Sequence, residues 1–156
     1  MQFDESFGEG GFTTIGQSLN GIACDRSGNI YTAYIKGVAK ISPDGKTIQK
    51  DFINDLPMSP LSLAIHEDAD QKIYVAYDNL VSCYLLSGKI FKRNYIKRNY
   101  EISNILIDQS LNLIYTSCYS FVKNIDCFLI SSRAIEYKSI ENVGLNLAQM
   151  ALPVPD

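Results

Sequence analysis

The sequence predicts an all-β fold made of repeated four-stranded antiparallel units. Three observations predict it: a phrase recurring every forty-odd residues, turn chemistry at matching places in each copy, and apolar runs too interrupted for helices. The phrase runs Gly21-Ile22-Ala23-Cys24-Asp25, then Asn29-Ile30-Tyr31-Thr32-Ala33-Tyr34. It returns as Leu63-Ala64-Ile65-His66, then Lys72-Ile73-Tyr74-Val75-Ala76-Tyr77, and again as Ile105-Leu106-Ile107-Asp108, then Leu113-Ile114-Tyr115-Thr116-Ser117-Cys118. Tyr31, Tyr74 and Tyr115 are 43 and 41 residues apart, a spacing that suits one four-stranded unit and exceeds the helical ankyrin and tetratricopeptide repeats.

Each copy breaks into short segments rich in Ile, Val, Tyr and Thr, the residues that suit strands. In the first copy Arg26-Ser27-Gly28-Asn29, Lys36-Gly37 and Pro43-Asp44-Gly45 supply the three turns. In the second, Asp68-Ala69-Asp70-Gln71, Asp78-Asn79 and Ser87-Gly88 fill the same slots. The third has Gln109-Ser110-Leu111-Asn112, Tyr119-Ser120 and a looser connection near Asp126. The second strands are apolar or small at nearly every position, whereas a sheet with one wet face alternates. Both faces are therefore covered, and Ala33, Ala76 and Ser117, small at matching places, let neighbouring sheets approach.

Sheets stacked face to face around an axis meet that requirement. The predicted fold is thus a set of β-propeller blades, about three four-stranded antiparallel blades plus part of a fourth, as a fragment or half-ring. The predicted division is 1–20 as a linker and closing strand, through the strand-like Phe12-Thr13-Thr14-Ile15, then 21–60, 61–103 and 104–147 as blades. Residues 148–156 begin an incomplete blade at Met150, while the spacing of Val143 to Leu152 also suits a short helix. Three blades and a strand do not close a ring of about four to eight. A fragment of a longer protein, a small closed ring and two chains completing one ring are the three alternatives, with a fragment or assembling half-ring preferred. Two identical chains sharing a ring require an even blade number.

A chain of 156 residues is long enough for one well-buried domain, and its 46% hydrophobic and 20% charged residues place it among folded proteins. A net charge of −3 gives no general attraction to nucleic acid or to an anionic membrane. No apolar run approaches the roughly 20 residues of a membrane-spanning helix. The opening Met1-Gln2-Phe3-Asp4-Glu5 is acidic where a signal peptide is basic, so a cytoplasmic location without membrane contact is expected. Cys24, Cys83, Cys118 and Cys127 form no C-x-x-C pair and the chain has a single His. They read as mostly buried thiols, and no metal or other cofactor is expected.

Asn20-Gly21-Ile22-Ala23-Cys24-Asp25 through Gly28-Asn29-Ile30-Tyr31-Thr32-Ala33 resembles the first two strands of an NHL-type or gluconolactonase-type propeller blade. Asp55-Leu56-Pro57, Ser62 to Asp68, Ile73-Tyr74-Val75-Ala76 and Leu86-Ser87-Gly88-Lys89 are similar to the sensor blades of two-component regulators, which usually carry Trp where Tyr31, Tyr74 and Tyr115 stand. Phe3-Asp4-Glu5-Ser6-Phe7-Gly8-Glu9-Gly10-Gly11 resembles a linker of another bacterial propeller repeat. Each likeness specifies a blade and not an activity. The lactonase-type resemblance implies acidic and Asn ligands around a central metal; Asn20 alone falls near such a place, and Ala33-Tyr34 stands where an acidic residue often follows.

The propeller resemblance also implies a binding face on the loops between blades and between second and third strands. Here that face includes Lys36, Asn54, Asp55, Asp78, Asn79 and Tyr119, a mixed-charge rim suited to protein contacts. The segment Phe91 to Tyr100 contains Lys-Arg-Asn-Tyr twice, setting Lys92, Arg93, Lys97 and Arg98 among aromatics as single-strand nucleic-acid binders do. The copies are five apart, so on a strand they face opposite sides and form no single stripe. An outer strand kept soluble by charge is the preferred reading, and nucleic acid is not an expected partner. His66, beside Glu67 and Asp68, has no paired nucleophile and reads as a strand-end residue; Asp25 and Asp108 read as turn caps. No catalytic residue is assigned. The expected function is a non-catalytic scaffold for a protein partner or another copy of the chain. A metal-dependent lactonase-type enzyme is the second reading, and single-strand nucleic-acid binding the third.

Overall fold

A computed structural model describes residues 4–67, 70–118 and 125–130, together with the backbone of 137–140. These residues form three four-stranded antiparallel sheets in simple sequential order. The first contains β1 (Leu19–Cys24), β2 (Ile30–Tyr34), β3 (Gly37–Ile41) and β4 (Ile48–Ile53). The second contains β5 (Ser62–His66), β6 (Lys72–Tyr77), β7 (Leu80–Leu85) and β8 (Ile90–Lys97). The third contains β9 (Ile102–Asp108), β10 (Leu113–Cys118), β11 (Ile125–Leu129) and β12 (Tyr137–Ile140). The chain is a run of β-propeller blades, as its repeat predicts. Among the described residues there is no helix, and so none long and apolar enough to cross a membrane.

Turn chemistry sets where strands end. The Asp25 carboxylate accepts the Asn29 backbone N–H at 2.9 Å, the Asn29 side-chain amide at 2.8 Å and the Tyr31 hydroxyl at 3.0 Å. Asp108 does the same work two blades later, accepting from the Ser110 N–H at 2.9 Å and its hydroxyl at 2.6 Å. Gly45 and Gly88 adopt φ of 72° and 84° in equivalent turns, a conformation that a Cβ makes costly.

Pairing makes the repeat match residue by residue. Ala33, Ala76 and Ser117 lie opposite Gly21, Ser62 and Asn104. Because side chains alternate along a strand, each sheet has a front face toward the blade before it and a back face toward the blade after it. On β6, Ile73, Val75 and Tyr77 belong to the front, packing with Tyr31, Ala33, Val38 and Ile53 of the first blade. Tyr74 and Ala76 belong to the back, packing with Ile105, Ile107, Ile114 and Phe128 of the third. Every residue of β5 and β6 is buried. Burying one such large apolar side chain stabilises by about 1.5–3 kcal/mol, so the stacking of blades dominates the fold.

Two expectations change. Asp126 is not in a loose connection; it lies in β11 and is completely buried, because an Arg and a Tyr from the preceding link reach it. Residues 12–15 take no strand; Phe12 makes one isolated bridge with Gly8, and Ile15 packs on Tyr34, Ala39 and Ile41. The expected turn at Asp68-Ala69, the turn at Tyr119-Ser120, the Val143 to Leu152 segment and the incomplete blade at 148–156 lie outside the described residues. The four cysteines form no disulfide, with Cys83 and Cys127 buried and Cys24 exposed.

Candidate partner face

Tyr34 pairs with both Leu19, at the start of β1, and Gly37, at the start of β3, while Val38 pairs with Ile53 at the end of β4. The turn between second and third strands and the link between blades therefore share one end of the sheet. Lys36 is exposed there, as are Asn54, Asp55 and Asp78. Tyr119 is outside the described residues.

Hydrogen bonds fix these loops. The Ser59 hydroxyl donates to the Ile35 carbonyl at 2.7 Å, and the Asn20 amide donates to the Pro60 carbonyl at 2.9 Å. Asn20, the one residue near a lactonase-type ligand place, thus holds a link. Asn79 is likewise committed: its amide donates to the Arg98 carbonyl at 2.8 Å, and its own carbonyl accepts the Arg98 N–H at 2.9 Å. Asp55 accepts the Tyr84 hydroxyl at 3.1 Å and pairs with Arg93. Burial first, then the Asp55 charge, pushes the Tyr84 hydroxyl well above the usual tyrosine range, so it remains a donor.

Sequence reasoning missed the apolar part of this end. Leu19, Ile35 and Met58 are each more than half exposed. Leu19 pairs with Tyr34, Ile35 follows it, and Ser59 joins the Met58 link to Ile35. The signal was legible: Ile35 sits in a turn beside Lys36, and Met58 lies between Pro57 and Pro60, places where polar residues are the rule.

The four basic residues do not make one surface. Lys92 is exposed over the Tyr95 ring at 5.5 Å, and Lys97 is exposed at the end of β8. Arg93 pairs with Asp55. Arg98 turns inward, its Nε 2.8 Å from the buried Asp126 carboxylate and its guanidinium 4.9 Å from the Tyr100 ring centre. The second Lys-Arg-Asn-Tyr leaves the strand after Lys97, so strand parity does not govern it; a buried acid does. Burial and the hydrogen bond to Asp126 push the Tyr100 hydroxyl up to about 12, which keeps it a donor to that carboxylate.

At the opposite end a polar ladder steps from blade to blade. Arg26 pairs with Glu67, and the Glu67 N–H donates to the Gln109 side-chain carbonyl at 3.0 Å. His66 is buried, its Nε2 3.0 Å from the Asn112 side-chain oxygen. Among the described residues no group of three or more His, Cys, Asp or Glu side chains gathers to hold a metal ion.

No protein-family model matches the chain, and no curated protein matches its sequence. Solved structures do share its fold. A chain of a nidogen/laminin complex overlays with a TM-score of 0.68 at 14% identity, covering 79% of this chain and 49% of that one. A putative gluconolactonase overlays with a TM-score of 0.57 at 15% identity, covering 80% of this chain and 41% of that one. The chain therefore spans about half the length of the solved propellers it resembles.

Proposed function

We propose that this chain is a non-catalytic propeller scaffold that recognises another protein through the loop end of its blades. The observation carrying this reading is the exposed apolar trio Leu19, Ile35 and Met58, set among Lys36, Asn54 and Asp55 on links held by side-chain hydrogen bonds to backbone. Exposed apolar side chains ringed by polar ones suit a protein contact. Loops already fixed lose little entropy on binding. A structural neighbour belongs to a protein–protein complex, which agrees with this use of the fold.

The test is affinity capture with the intact chain, the double variant Ile35→Asp/Met58→Asp, and Phe91→Asp on the outer strand β8. Loss of a specific partner with the double variant, and its retention with Phe91→Asp, is the expected result. A partner captured equally by all three would remove the loop end from consideration.

A further inference from the structure

Ile22, Leu63 and Ile105 hold the same place on the first strands of successive blades, yet Ile22 is 69% exposed where Leu63 is 4% and Ile105 5%. Cys24 is exposed at the place where Ile65 and Ile107 are buried. In the second and third blades these positions lie on the front face, under the back face of the blade before. The first blade lacks that cover near the ring axis only. Its outer half is protected: Tyr34, Ala39 and Ile41 are buried against Ile15.

The protecting arm, residues 7–15, stands where an outer strand of a preceding blade belongs. A Cβ on Gly88 in the second blade would meet Phe52 of β4, the outer strand before it; a Cβ on the equivalent Gly45 would meet Phe7 and Thr13 of the arm. The missing cover is therefore the inner part of a blade, with a back face made of a small or apolar first-strand residue and a tyrosine on the second strand. Ala23 with Tyr31 and Ala64 with Tyr74 provide it inside the chain. Leu106 with Tyr115 is the third instance, and both are only half-buried.

From this we infer that a second copy of the chain docks head to tail, the back of its third blade, through β9 to β11, covering Ile22 and Cys24 on the front of the first. This surface is separate from the loop end, so either reading stands or falls without the other. The described residues make three blades, and the chain covers 49% of the solved chain it overlays, so a second copy is of the size that the other half of such a ring requires. A head-to-tail contact closes when the rotation completes the circle, here with two chains and two equal junctions.

Molar mass in solution tests this, using the wild type, Ile22→Asp, Leu106→Lys and an equimolar mixture of the two variants. The wild type is expected at twice the chain mass, with Cys24 protected from alkylation. Each variant alone is expected at the chain mass, with Cys24 reacting at least tenfold faster. The mixture is expected to regain the doubled mass, because one of its two junctions carries neither substitution. Circular dichroism melts check that each variant is folded, and the mixture decides the matter even where one variant melts early. A wild type that stays single at every concentration overturns the proposal. So does a variant that still doubles, or a mixture of folded variants that does not recover; a loss with Ile22→Asp but not Leu106→Lys would mean that two first blades meet face to face instead.

Discussion

Strands β1 and β5 occupy the same place in consecutive blades, and their chemistry is similar: Gly-Ile-Ala-Cys in one, Ser-Leu-Ala-Ile in the other. Every residue of β5 is buried, while β1 exposes four of its six. The difference lies in the neighbours. The second blade is flanked on both faces, whereas the front of the first has, among the described residues, only the arm along its outer half. Burial in this architecture is conferred by the adjoining repeat, as in other quasi-one-dimensional assemblies, and a strand's own residues only make it worth conferring.

Substitutions at equivalent places sharpen that contrast. Tyr74→Ala, in the middle blade, is expected to cost about 3–5 kcal/mol in denaturant melts, the usual cost of emptying a large buried aromatic site. Tyr115→Ala, on the half-covered back of the third blade, should cost about 1–2 kcal/mol in a single chain; equal losses would break the comparison. The two links between blades offer a second contrast. Asp126→Ala takes from Arg98 and Tyr100 a carboxylate that is fully buried, and should cost about 3–5 kcal/mol. Arg93→Ala removes its pair with Asp55, whose side chains are 48% and 44% exposed, and leaves Asp55 to accept the Tyr84 hydroxyl, so it should cost about 1 kcal/mol or less.

The smallest effect concerns acid. Burial pushes the Asp25 carboxyl up, but hydrogen bonds from Asn29, Tyr31 and Ser27 outweigh it and hold it below the ordinary 3.8. A carboxyl depressed on folding stabilises the fold above its unfolded value, and that contribution fades as pH falls through the folded one. Asp25→Asn should therefore flatten the loss of stability below about pH 4, and an unchanged acid limb in pH-dependent melts would contradict the assignment of Asp25 as a cap.

Much of the fold could be read from spacing. Tyr31, Tyr74 and Tyr115 mark second strands because a four-stranded blade has a nearly fixed length, and Asp25 and Asp108 mark turns because a carboxylate two to four residues from free N–H groups caps them. The candidate face was legible in part. Its loops were located, but Asp55 and Asn79 are committed to holding links, since their partners Arg93 and Arg98 lie many residues away. The same distance hid Asp126, whose burial beside Arg98 and Tyr100 gives no local sign in an otherwise apolar strand.

By itself the sequence determined the period, the all-β character and the two-sided burial of the second strands, because these depend on contacts within about one repeat length. Tertiary structure alone decided which faces are covered, that Phe7 and Thr13 stand in an outer strand's place, and that the basic segment splits between two acids. The physical reason is common to all three: burial and charge pairing act between surfaces brought together by stacking, and the chain carries no local record of where a stack is interrupted.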